Sequence, residues 1–117
     1  MAVQTYAGTK VIGFAERATL FTWAALLTGN TGAPVEKPTF SDRSVQVAGT
    51  FGGATCTIQG SNNGADWVTL TDPAGVALTF TSTGLKQILQ VTKYIRPSIT
   101  GGAAASIDVS LLVVGDN

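Results

Sequence analysis

The feature that most constrains this chain is a two-residue alternation of apolar and polar side chains, recurring between turn residues, with no stretch that sustains a helical period. In residues 44–51, Val45, Val47 and Phe51 share one face with Gly49, while Gln46, Ala48 and Thr50 share the other. Ala54, Cys56 and Ile58 then alternate with Thr55, Thr57 and Gln59, which places Cys56 as a small core hydrophobe. Ser61-Asn62-Asn63-Gly64 offers residues that tolerate positive φ, and Asp66 to Leu70 leads out of that turn, so the pair reads as a β-hairpin. Val76, Leu78 and Phe80 alternate next, and Ile107, Val109, Leu111 and Val113 give the clearest strand of all. Residues 85–92 are apolar but less cleanly periodic and are read as strand. In 94–100, Ile95 and Ile99 point one way, but Pro97 lacks the amide a ladder needs, which predicts an edge strand or a bulge.

The N-terminal third is different. Leu20, Ala24 and Leu26 fall on one side of 18–27, and Phe21, Trp23, Ala25 and Leu27 on the other, so both sides ask for cover; a helix is an alternative there. Residues 29–38, rich in Gly, Pro and Thr, read as a long connection. Residues 1–17 read as an arm that one small sandwich could not fully engage. The expectation is an all-β chain: an extended arm over 1–17, then an antiparallel β-sandwich or jelly roll of about eight strands over 18–117. Deleting 1–13 is expected to leave that sandwich folded and to weaken assembly.

Composition narrows the function. Seven Lys/Arg balance seven Asp/Glu in 117 residues, so no net field steers the molecule onto nucleic acid or an anionic membrane. There is no His, and the single Cys excludes an intrachain disulfide, which leaves most familiar catalytic and metal constellations unassembled. No stretch reads as a secretory signal or a membrane span. The one Cys is consistent with synthesis in a reducing cytosol. Only 12% of residues are charged, against about 25% in average soluble domains, so outward strand positions are Thr, Gln, Ser or Ala. Such side chains cost little to desolvate, which suits a surface covered by other protein.

The places where chemistry could reside have bland explanations beside them. The carboxylates Glu16, Glu36, Asp42, Asp66, Asp72, Asp108 and Asp116 could in principle supply a glycosidase pair, but most sit beside turns, where Asp bonds nearby amides, and Asp108 takes the outward phase of the last strand. Asn62, Asn63, Asp66 and Asp72 could offer oxygens to calcium, yet their spacing matches no EF-type loop and turn formation accounts for them. Gly49, Gly52 and Gly53 read as hairpin glycines, since no Lys-Ser/Thr pair and no helix start follow them. Trp67 takes the phase opposite to Val68 and Leu70; it either packs over its glycine-rich turn or is exposed for a ligand. The expectation is a chain with no catalytic residue, no cofactor and no metal.

Residues 44–55 (SVQVAGTFGGAT), 59–67 (QGSNNGADW), 71–75 (TDPAG) and 94–102 (YIRPSITGG) together resemble small structural proteins of tailed bacteriophages, typically head decoration or cement proteins. The Gly-Ser-Asn-Asn-Gly…Trp and Tyr-Ile-Arg-Pro pieces are also similar to discoidin-like and carbohydrate-binding jelly rolls. The phage resemblance implies a β-sandwich seated on the outside of an assembled head, often as a trimer, that clamps neighbouring subunits of the major capsid protein through arms and loops. It implies a virion location after synthesis in the host bacterial cytoplasm. Carried onto this chain, the contact elements become the arm and the 29–38 connection, chosen because neither satisfies itself, with Tyr6, Lys10, Phe14, Arg17, Phe21, Trp23, Pro34 and Pro38 as capsid or subunit contacts. The alternative is a carbohydrate- or receptor-binding module of a tail or baseplate that uses the hairpin residues Asn62, Asn63, Asp66 and Trp67.

Overall fold

The computed structural model describes residues 3–11, 18–36 and 42–114, which form a sandwich of two β-sheets with no helix among them. Phe14, Arg17, Pro38, Glu16 and Asp116 lie outside the described residues. One sheet has seven strands: β1 (Val3–Gln4), β4 (Thr31–Gly32), β11 (Tyr94–Thr100), β7 (Thr55–Ser61) and β8 (Val68–Thr69) in that order, with β5 (Val35–Glu36) also on β11 and β9 (Thr79–Phe80) also on β7. The other sheet has five: β10 (Gly84–Gln87), β6 (Asp42–Thr50), β12 (Ser106–Val114), β3 (Ala18–Leu26) and β2 (Ala7–Val11). Every pairing is antiparallel except β1 with β4. The strand total exceeds the expected eight because five of the twelve are two-residue pieces, too short to display any alternation.

The alternation predicted for the long strands is the alternation observed. Val45 and Val47 on β6 and Ile107, Val109, Leu111 and Val113 on β12 face inward with at most 1% exposure. Cys56 and Ile58 of β7, with Ile95 and Ile99 of β11, meet them from the other sheet. Each such aliphatic side chain contributes about 1.5–3 kcal/mol on burial, an upper bound because the unfolded chain already hides some surface. Val76 departs from the pattern: it is half exposed while Leu78 and Phe80 are buried. Residues 85–92 are strand only as far as Gln87, after which Ile88 is buried and Leu89 and Val91 are exposed.

Burial pushes the Cys56 thiol up to about 12 from its ordinary 9.0. The unfolded chain then ionises before the folded one, so the stability held below about pH 9 declines as pH climbs toward 12. Urea midpoints measured at about pH 8 and about pH 11 should fall less in Cys56→Ala than in the parent.

The two-faced stretch 18–27 is one strand with a β-bulge, not a segment covered on both sides. Ile107 pairs with Leu26 and Val109 with Trp23, so Ala24 and Ala25 together oppose the single residue Asp108. The phase reverses there: Phe21 and Trp23 point inward before the bulge, Leu26 after it, and Leu27 turns out to solvent. Ala25 sits at φ 53°, and its amide donates to the Asp108 carboxylate at 2.8 Å. Asp108→Ala removes that acceptor and should cost about 1 kcal/mol, read as a shift in urea midpoint with unchanged slope.

Pro97 does not mark an edge. Its strand lies inside the seven-stranded sheet, between β7 and the β4/β5 pair. Ile99 donates to the Asn30 carbonyl and accepts from the Gly29 amide, so the odd-numbered residues of β11 direct their backbone groups toward that pair. Opposite Pro97 the partner ladder is interrupted between β4 and β5, and no donor is needed there.

The Gly-Gly turns are also not hairpins. Gly52-Gly53 carries the chain from β6 to β7 and Gly101-Gly102 from β11 to β12, each a crossing from one sheet to the other. All four glycines have φ between 57° and 84°, and the two arches are joined by an Ala103 amide donating to the Gly52 carbonyl at 3.0 Å.

Segment 3–11, read from sequence as part of an arm, contributes an edge strand to each sheet. Gln4 is tied in through its carbonyl, which accepts from Ala33, and through its side chain, which donates to Asn30 at 3.1 Å. Between the two strands Tyr6 packs edge-on against Phe21 at 5.2 Å and Trp23 at 5.8 Å. Removal of 1–13 therefore strips cover from the core, and the expected outcome becomes a loss of stability as well as of assembly. Tyr6→Ala alone should cost about 1–2 kcal/mol in urea unfolding, through lost aromatic packing.

Candidate functional site

The sequence-predicted contact residues divide by burial. Phe21 and Trp23 are core side chains, 5% and 1% exposed, and the Trp23 indole donates to the Ala33 carbonyl at 3.0 Å. Neither can touch a capsid or another subunit while the domain is folded. Tyr6 lies over them with part of its ring in solvent, Pro34 is exposed on the same flank, and Lys10 falls within β2.

The hairpin residues are brought together, but mostly to build the turn. The Asn63 side-chain oxygen accepts from the Ala65 and Asp66 amides, both at 2.9 Å, and its amide group donates to the Asp66 carboxylate at 2.8 Å. Asn62 accepts from the Lys93 amide at 2.9 Å, fixing the turn to the segment before β11. Asp72, as expected of a turn carboxylate, accepts from Ala74 and Val76. Among the described residues no three carboxylate or thiol groups gather in a way that could hold a metal ion. A half-open recess of about 210 Å³ lies beside the hairpin, lined by Ser61, Asn62, Asp66, Thr69, Gln90 and Thr92.

The expectation for Trp67 leaves out the ring that lies over Gly64. Tyr94 takes that place, its ring 3.4 Å from where a Cβ on Gly64 would sit. Trp67 is met by Arg96, whose guanidinium carbon is 4.0 Å from the centre of the indole ring. Arg96 escaped attention in the sequence because nothing in YIRP pairs it with a tryptophan 29 positions earlier; the signal is the β7–β11 register, which places Arg96 opposite Gln59.

The outer face of the five-stranded sheet is a second candidate surface. Across the strands, Leu85, Gln46, Ser110, Thr22 and Ala7 form one outward row, and Gln87, Ser44, Leu112 and Leu20 the next. Two shallow recesses of about 250 and 240 Å³ adjoin along it and share Ser44 and Leu112. In the described strands β3, β6, β10 and β12 the charged outward side chains are Asp42 and Asp108, at opposite ends of the sheet, and Asp108 is already engaged by the Ala25 amide.

These features define an antiparallel β-sandwich whose distinctive chemistry lies on its two outer faces and not in an enclosed cleft. Among solved structures the chain is similar to the SPBc2 prophage-derived protein YomS, with a TM-score of 0.65 and 11% identity, over 90% of this chain and 98% of that one. The two share a fold. Weaker similarity, with a TM-score of 0.44 and 10% identity, extends to the cleaved adhesin domain of Lys-gingipain from Porphyromonas gingivalis, over 97% of this chain and 85% of that one. Peruvianin-I, a cysteine peptidase from Thevetia peruviana latex, gives 0.46 and 13% over 85% of this chain and 52% of its own. No protein-family model and no curated protein matches the sequence.

Proposed function

We propose that this chain is a non-enzymatic structural protein of a tailed-phage virion, a decoration protein that coats the outer surface of the assembled head and works as a homo-oligomer, with three copies the favoured number. The observation that carries the reading is the outer face of the five-stranded sheet, where Leu20, Leu85 and Leu112 stand among Ser, Thr, Gln and Ala. Such a face loses little on leaving water and gains from apolar contact, so neighbouring subunits are its natural cover. The fold shared with a prophage-derived protein supports the same setting. The flank that carries Tyr6 and Pro34 would meet the major capsid protein.

Cementing asks only for differential affinity: a protein that binds the mature lattice better than its precursor stabilises the mature state. Several weak contacts per oligomer suffice, because each contact after the first is intramolecular. The glycan-module alternative needs Trp67 to offer a stacking face, and Arg96 occupies one of the two.

The test mixes purified protein with expanded heads and with precursor shells, followed by sedimentation. Retention on expanded heads is expected, at least tenfold weaker in Gln46→Asp, which places a charge in the middle of the uncharged face, with an unchanged melting midpoint. Equal retention of the two proteins, or none of either, would overturn the reading.

A further inference from the structure

The opposite outer face carries a different chemistry. There Arg96 stacks on Trp67 at 4.0 Å and donates from Nε to the Gln59 side-chain oxygen at 2.9 Å, so the plane of its guanidinium is fixed. Tyr94 stands 6.4 Å from Trp67, and the Lys93 ammonium lies 5.2 Å from the Tyr94 ring. Glu36 is 3.7 Å from Lys93, whereas Arg96 has no carboxylate partner among the described residues. Burial pulls the Arg96 guanidinium below its ordinary value. Glu36 offsets Lys93, and the Asp66 carboxylate beside Trp67 is engaged by the Asn63 amide, which leaves Arg96 as the cation of the patch with no carboxylate on it among the described residues.

We propose that Trp67, Tyr94, Arg96 and Lys93 form a docking site for an acidic, extended peptide segment of a partner protein, with one carboxylate received by the terminal nitrogens of Arg96 and a second drawn to Lys93. Trp, Tyr and Arg are the residues that dominate binding energy at protein interfaces, and here they adjoin on a surface otherwise made of Thr, Ser and Gln. A guanidinium already held by stacking and by its Nε bond loses little further freedom when it grips a carboxylate through two parallel bonds. This site is separate from the uncharged face, and its failure would leave the assembly reading untouched.

The full chain is titrated with an acetylated hexapeptide of alternating Glu and Gly, followed by calorimetry and by the NMR signal of the Trp67 indole N–H. Saturable binding is expected, about tenfold weaker in Arg96→Gln, weakened by salt, and lost when Gln replaces each Glu of the peptide. If Arg96→Gln does not fold, Lys93→Gln, whose side chain is exposed, takes its place with an expected threefold loss, roughly the worth of a rim charge. Equal affinity for the Gln peptide, unchanged affinity in the variant, no saturation, or tighter binding of a single-stranded DNA hexamer would overturn the proposal.

Discussion

Val109→Asp should abolish cooperative unfolding, whereas Ser110→Asp, one residue on, should leave it intact. Val109 has 0% exposure on β12, the central strand of the five-stranded sheet, flanked by Val47 and Trp23. The buried cation of this sheet, Arg43, pairs with Val113 four positions along the strands, about 13 Å away, so a carboxylate at 109 must either be buried charged or take up a proton and still lack a partner. Either costs about 4–5 kcal/mol or more, against a total of roughly 5–15 kcal/mol for a domain of this kind. The expected readouts are a lost thermal transition and aggregation on expression. Val109→Ala, which only removes methyl groups, should melt cooperatively at a cost of about 2 kcal/mol. Ser110 points to the outer face in the same register row as Gln46 and Thr22, so its substitution by Asp should change stability by no more than about 0.5 kcal/mol. Comparable melting of the two Asp variants would mean that the strand phase is wrong.

That pair of neighbours marks what could be read from sequence. Where a strand is long and has one buried face, its alternation is written in the residues, as in β6, β7 and β12. What alternation cannot encode is which sheet a strand joins. Phe51-Gly52-Gly53-Ala54 is good turn chemistry, with Ala54 donating to the Phe51 carbonyl, but the same turn serves a hairpin or an arch between sheets. The bulge at Ala24 and Ala25 was hidden for a similar reason: an inserted residue reverses the phase, and the mixed pattern that results looks like a segment buried on both sides. Segment 3–11 leaves no periodic trace, because β1 has two residues and the Ala-Gly-Thr-Lys-Val of β2 shows no clean apolar–polar alternation, although Tyr6 has a firm place over Phe21 and Trp23. The candidate sites follow the same division. The uncharged face was legible in composition and phase, whereas the Trp67–Arg96 stack depends on a cross-strand register that joins distant parts of the chain.

Gly32→Ala should be strongly destabilising although its backbone lies outside the positive-φ region. In sequence Gly32 sits in what reads as a flexible connection, where a methyl group costs nothing. In the folded chain it is a buried residue of β4, and a Cβ there would come within 2.5 Å of the Trp23 Nε1 and 2.6 Å of the Pro97 Cδ. Neither neighbour can yield. The indole is 1% exposed and held by its bond to the Ala33 carbonyl, and the Pro97 ring is fixed in the interior strand β11. Relief requires either that Trp23 give up that bond and move into a filled core, or that β4 separate from β11 and leave the Asn30–Ile99 ladder open. Overpacking and a lost buried hydrogen bond together cost about 2–4 kcal/mol. For a chain of this size that corresponds to a fall in Tm on the order of 10 °C or more. Gly29→Ala, three residues earlier in the turn before β4, meets nothing within 4 Å, but its φ of 85° carries a backbone penalty of about 1 kcal/mol. The order of the two variants therefore separates steric closure around Trp23 from backbone strain. If Gly32→Ala melted above Gly29→Ala, the packing of Trp23 between β4 and Pro97 would have to be abandoned.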